Sequence, residues 1–269
     1  MPYGIQQPAI SGQISQLERA LGLRLFQRRP FAVTPAGLNL FAEIEPFFAG
    51  LRELPDRVRG HARHRLRLAA PATILRDYLP AILAGYRRRD PDFRLTLYDA
   101  NQANAEDLLR KNEIDLAITE LEGKPGASIN SRTLVNLPLL LVLPRSTTIR
   151  SVADCFHGGT PVQSLISLRP EEVLSKNFQA GLRRLGLAWP STIDVASLEL
   201  IDIYTALGLG VGVSIALPGS RRKSGLRRLP LPKFPPLSVA ALWAGDLSEL
   251  AQTFLSDVKK LAERLRVTQ

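Results

Sequence analysis

Cysteine occurs once in the 269 residues, at Cys155, so no disulfide can form within the chain. A single thiol, with no basic region followed by an apolar stretch after Met1, points to the cytoplasm instead of an oxidising compartment. No apolar run approaches the ~18–20 residues that a membrane span needs, and no membrane partner is expected. Histidine is scarce too: His61, His64 and His157 are the three present, and none has the spacing of a metal ligand. Cys155 and His157 stand two apart in a Gly-rich loop without the oriented third group that a nucleophile's base requires. Cys155 therefore reads as a buried spacer. The chain is expected not to be an enzyme and to need no cofactor or metal.

Acidic side chains are in deficit, with 25 Asp and Glu against 35 Lys and Arg and a formal net charge of +10. Such a surface attracts polyanions, and nucleic acid is the commonest one in the cytosol. The basic residues are mostly arginine, whose fork fits phosphates and base edges. An arginine-rich genome accounts for the same excess, so charge alone does not decide. Hydrophobic residues make up 45% of the chain, enough to bury a sizeable core, and no internal repeat is present.

Three textures follow one another. Residues 1–60 read as helices with one break. A helix begins at Gln7 with Pro8 in its first turn, where the missing N–H costs nothing. Ile10, Ile14, Leu17 and Leu21 form one apolar stripe, and Gly22 suits the C-cap. Segments 25–27 and 31–33 flank Arg28-Arg29-Pro30 and suggest a two-stranded wing. Thr34 caps a second helix with Pro35 at its first position. That helix carries Leu38, Phe41, Ile44, Phe47, Phe48 and Leu51, groups suited to packing on a second copy, and Pro46 should bend it. Residues 57–67 form an arginine-rich hinge, either a solvated helix end or a DNA contact.

Beyond residue 66 strands alternate with helices, which predicts a parallel or mixed sheet covered on both faces. Strands are expected at 66–70, 93–98, 116–119, 137–143, 211–215 and 237–243. Helices are expected at 73–89, 105–111, 170–185, 197–207 and 247–265. Residues 218–236, rich in Arg and Pro, look most like a linker.

The string Gln6-Gln7-Pro8-Ala9-Ile10-Ser11, then Ile14, Leu17-Glu18, Leu21-Gly22, Leu25-Phe26 and Arg28, followed by Thr34-Pro35-Ala36-Gly37, resembles the LysR-type helix-turn-helix. Leu79-Pro80, Asp90-Pro91 and Ile114-Asp115-Leu116-Ala117-Ile118 look like the first lobe of that family's sensor domain. The run Leu137–Pro144 looks like its crossing into the second lobe, and Gly208-Leu209-Gly210-Val211-Gly212 like its glycine turn. This turn precedes a strand instead of following one, so it is no dinucleotide fingerprint.

The resemblance implies an α/β protein: an N-terminal winged-helix remnant and linker helix in 1–60, then a two-lobed effector-binding domain in 61–269, like periplasmic binding proteins. Lobe I would take about 66–138 and 240–269, lobe II about 139–239. It implies a DNA-binding regulator answering a small effector, often an organic anion, and acting as a dimer or tetramer through the linker helix. The helix at the Gln-Pro step would enter the major groove. Gln6, Gln7, Pro8, Ser11 and Gln13 would then meet promoter DNA, with Gln7 able to pair with adenine or merely cap its helix. Arg28 and Arg29 on the wing would touch backbone or minor groove, or Arg28 would fold back onto Glu18. Gly12 replaces a larger or basic residue, so one phosphate contact is expected to be absent.

Effectors in open α/β sheets lie outside the carboxyl ends of strands, near helix N-termini. Thr73, Ser164, Leu165, Ser197 and Leu198 are the expected contacts, with Thr73 and Ser197 equally explicable as N-caps. Asn101 and Gln102 are weaker candidates in a polar loop. The three-helix DNA-binding core of the family would need about 25 residues more ahead of Gln7; a start codon assigned too late is expected ahead of a trimmed chain or a degenerate regulator. The alternative is a stand-alone small-molecule-binding protein without specific DNA binding.

Overall fold

The computed structural model describes residues 7–58, 61–217 and 225–267. The chain divides into two compact units, one of residues 1–62 with 110–113 and the other of 63–109 with 114–269.

In the first unit α1 (Gln7–Leu21) ends where Gly22 takes φ of 67°. That left-handed residue lets Gly22 N–H reach the Arg19 carbonyl at 3.4 Å and Leu23 N–H the Glu18 carbonyl at 3.2 Å, a Schellman ending. The strands β1 (Phe26–Arg28) and β2 (Phe31–Val33) pair antiparallel, Phe26 opposite Val33. Helix α2 (Pro35–Val58) follows as one span through Pro46. Thr34 starts it: its hydroxyl accepts the Gly37 N–H at 3.1 Å and donates to the Arg24 carbonyl at 2.6 Å. Leu25 is the one large apolar side chain buried among the described residues of this unit.

The second unit holds two five-stranded sheets. The first, lobe I, contains β3 (Arg65–Ala70), β4 (Arg94–Asp99), β5 (Leu116–Glu120), β6 (Ile129–Leu137) and a late strand, Leu237–Ala244. Its order is β4-β3-β5-late strand-β6, with β3 parallel to β4 and β5 and the late strand antiparallel to its neighbours. Arg67, nearly buried on β3, locks the register: its backbone N–H and guanidinium both bond the Asp115 carboxylate, at 2.7 and 2.6 Å.

Lobe II begins with β7 (Leu139–Pro144), followed by the short hairpin β8 (Phe156–His157) and β9 (Thr160–Pro161). Then come β10 (Leu165–Leu168), β11 (Ile193–Val195), β12 (Val211–Ile215) and β13 (Leu226–Pro230), in the spatial order β11-β10-β12-β7-β13. The late strand of lobe I is thus β14 (Leu237–Ala244). The chain crosses between sheets at Pro138 and returns before Leu237, slightly ahead of the expected 240. The helices are α3 (Ala72–Asp77), α4 (Leu79–Leu83), α5 (Tyr86–Arg89), α6 (Gln102–Arg110), α7 (Val173–Arg184), α8 (Leu198–Ala206) and α9 (Glu249–Val267).

Three expectations are corrected. The single helix over 73–89 is three short ones, because Pro80 cannot donate a helical hydrogen bond and the chain turns again at Gly85. The apolar run 137–143 is cut at Pro138, which hands Leu137 to one sheet and Leu139 to the other. The supposed linker contains β13, an edge strand paired with β7; residues 218–224 lie outside the described residues.

Candidate DNA-contact and effector sites

Glu18 joins α1 to the wing: one carboxylate oxygen accepts the N–H groups of Leu25 and Phe26 at 2.8 and 3.1 Å. Those two backbone bonds, aided by Arg24 and Arg28, hold its carboxyl below the usual range. Arg28 does not close on Glu18; its guanidinium donates to the Ser15 hydroxyl at 3.4 Å. Arg29 stands exposed on the turn, and Ser11 and Gln13 are exposed on α1. Gln6 lies outside the described residues, and so do the side chains of Gln7 and Pro8 in the first turn of α1. At Gly12 open space surrounds the position a Cβ would take, so no steric demand fixes glycine there. The apolar stripe is exposed as well, Ile10, Leu17 and Leu21 each keeping over two-fifths of their surface (41%, 44% and 46%).

In the second unit the expected effector residues separate into two groups. Thr73 sits in the first turn of α3, whose N-cap is Pro71 with no side-chain capping bond, so Thr73 is not the cap. Ser197 caps α8, its hydroxyl oxygen accepting from Leu200 N–H at 3.4 Å, and Leu198 beside it is half-buried. An ion pair from Arg76 on α3 to Glu199 on α8, 3.4 Å, spans the lobes next to both. The structure therefore brings Thr73, Ser197 and Leu198 to one interlobe region.

Ser164 and Leu165 are elsewhere. β10 runs parallel to β11 with Leu168 opposite Val195, so Leu165 lies at the strand end away from Ser197. Leu165 is fully buried, and the Ser164 carbonyl accepts Val211 N–H at 2.8 Å. Gly210 is required here, since a Cβ on it would meet that carbonyl at 2.4 Å. A four-residue strand such as β10 leaves too short a pattern to be read from the sequence.

The carboxyl ends of β5 and β10 flank a cavity of about 370 Å³ lined by Asn101, Gln102, Glu106, Glu120, Glu122 and Glu172, among others. Gln102 bonds Glu106 at 2.7 Å and accepts the Glu122 N–H, which makes it a strut within the acidic wall. Burial, then the charge of Glu172, pushes the Glu120 carboxyl up to about 7. The carboxylates escaped the sequence reading, although Glu120 and Glu172 both follow apolar strand segments, the position ligands favour. Cys155 is fully buried, and burial, then Asp154, pushes its thiol up to about 11, which suits a spacer and not a nucleophile.

Two family models match the chain in succession: the bacterial regulatory helix-turn-helix protein of the lysR family over residues 3–38, and the LysR substrate binding domain over 59–262. The HTH-type transcriptional regulator YcgK of Bacillus subtilis is 30% identical over 279 residues, covering 93% of this chain and 85% of its own. The crystal structure of HinK, a LysR family transcriptional regulator from Pseudomonas aeruginosa, superposes with a TM-score of 0.64 at 21% identity, over 97% of this chain and 90% of HinK. The BenM effector binding domain with its effector benzoate gives 0.63 at 17% identity, over 76% and 95%. Among the described residues no helix is long and apolar enough to cross a membrane. With a lysR-family helix-turn-helix and a LysR substrate-binding domain joined in one chain, the protein belongs to the LysR family of transcriptional regulators.

Proposed function

We propose that this regulator binds promoter DNA through α1 and the wing, senses a small molecule between lobes I and II, and works in the cytoplasm as a homo-oligomer. It has no catalytic role. The observation that carries this reading is the succession of the two matched modules along one chain, with the 24-residue helix α2 between them. Gln6, Gln7, Pro8, Ser11 and Gln13 meet the DNA groove. Arg28 and Arg29 supply the salt-dependent phosphate contacts. Thr73, Ser197 and Leu198 receive the effector; the support is that they stand at the starts of α3 and α8, which the Arg76–Glu199 pair links, and that helix starts favour anions. Ser164 and Leu165 act only through the packing of β10. Effector binding shifts the population of lobe arrangements, and the DNA-binding heads of the oligomer move with it.

The test is selection of DNA bound by the full chain from fragments of its source genome at moderate salt. Enrichment of one sequence, weakened by Arg29→Ala uniformly and by Gln13→Ala at particular bases, supports the regulator. Equal binding of random and genomic fragments would move the protein to the small-molecule-binding reading.

A further inference from the structure

We propose that the acidic cavity between the lobes is a proton-operated latch: uptake of a proton at Glu120 favours contact between lobes I and II, and its release favours their separation. The inference goes beyond effector sensing, since the signal is pH itself.

The geometry places one carboxylate of each lobe against the other. Glu120 ends β5 in lobe I; Glu172 is the N-cap of α7 in lobe II; both line the same cavity. Among the described residues Glu120 has neither a hydrogen-bond partner nor a counter-ion for its carboxyl group. The charged groups facing the cavity are nearly all of its own sign: Glu106 from α6, Glu122 beyond β5, and Glu171 and Glu172 ahead of α7. Strand β14, paired with Glu120 at Val239, brings no charge, and the charged side chains of β3 sit at its other end. Two cations of this region are engaged with other carboxylates, and Lys124 is exposed on the loop after Glu122. Lys176 of α7 holds Glu122 at 2.7 Å, and Arg169 holds Glu171 and Glu172 at 3.2 and 3.3 Å. Among the described residues no three of these groups converge as a metal site would require.

Two opposed effects therefore meet across the lobes. The Lys176–Glu122 pair, exposed at the rim, pulls them together. An ionised Glu120 is repelled by Glu172 of the other lobe only while the lobes touch. Its carboxyl holds the proton up to about 7 in the contact arrangement, as against 4.5 for the free side chain. Contact and proton binding are consequently linked, and the repulsion switches on within the physiological range.

The test is the interlobe distance in the full chain, read by energy transfer between dyes on Asp92→Cys in lobe I and Arg183→Cys in lobe II. Both positions are exposed, while the natural Cys155 is buried and does not compete for label. Because the charge of Glu172 adds to the raised carboxyl value only in contact, the ratio of contact to separated molecules falls as pH rises through about 7. Glu120→Gln should abolish that dependence and hold the lobes in contact throughout. Glu172→Gln should weaken the dependence and end it at a lower pH, since with less repulsion Glu120 ionises more readily in contact. An unchanged pH profile in Glu120→Gln overturns the latch. Should that variant fail to fold, an unchanged profile in Glu172→Gln overturns it instead. Neither DNA nor effector enters the measurement, so its failure leaves the regulator reading intact.

Discussion

Glu18 and Glu120 are the same side chain driven in opposite directions. Glu18 is half-buried and accepts two backbone N–H groups, which stabilise its ionised form. Its contribution to the α1–wing junction is present above the ordinary carboxylate range and is lost as pH falls through the lowered folded value. We expect Glu18→Gln to make the junction's stability insensitive to acid, as read by amide exchange of Leu25 and Phe26. Glu120 has the reverse sign. Below about 4.5 both folded and unfolded chains hold its proton, so it costs nothing there. As pH rises from there to about 7 the unfolded chain ionises first, and the folded state loses stability. Above that the cost is constant, at most about 3 kcal/mol. Glu120→Gln should therefore raise the denaturation midpoint at pH 8 and leave it unchanged at pH 4. A gain of equal size at both values would mean that the glutamine improves packing and that ionisation of Glu120 is not the cause.

At the scale of elements, glycine marks where pieces touch. A Cβ on Gly181 of α7 would sit 2.0 Å from the Phe234 ring, which itself stacks on Phe178 at 5.4 Å. Gly181→Ala must therefore displace an aromatic pair from the lobe II core, and we expect a loss of about 1–3 kcal/mol in chemical denaturation. Thr34→Ala removes the cap of α2 and should cost about 1 kcal/mol. Elements with a strong periodic or capping signal were legible in the sequence: α1 with its Gly22 ending, the wing, the start of α2, and β12, whose residues 211–215 match the expectation at both ends. Edge and short strands were not. β6 is the outer strand of its sheet, and Asn130, Ser131 and Arg132 hide its pattern; β13, also at an edge, carries Arg227 and Arg228. The effector region was half legible for the same reason. Thr73 and Ser197 stand at helix starts that can be read locally, whereas the position of Ser164 depends on a four-residue strand set by its neighbours.

For the whole molecule the decisive surface is α2. Leu38, Phe41, Ile44, Phe47, Phe48 and Leu51 are all exposed along it, and Phe47 meets Phe48 edge-on at 5.5 Å. Isolated exposed apolar groups need no explanation, but six between Leu38 and Leu51 cover about 20 Å of one helix. Burying a large aliphatic or aromatic side chain is worth roughly 1.5–3 kcal/mol, so a second copy of the helix is a sufficient partner. We therefore expect Phe48→Asp to convert the assembly to monomers in sedimentation while the second unit keeps its melting temperature. The two units answer separately because the substitution touches only α2, and an ionised aspartate at the centre of an apolar contact would lie buried without a counter-charge. Dissociation should in turn weaken DNA binding far more than loss of one side chain explains, since two joined heads bind with a high effective concentration that single heads lack. An oligomer that survives Phe48→Asp and also Phe41→Asp would place the self-contact elsewhere and leave the α2 face to another partner.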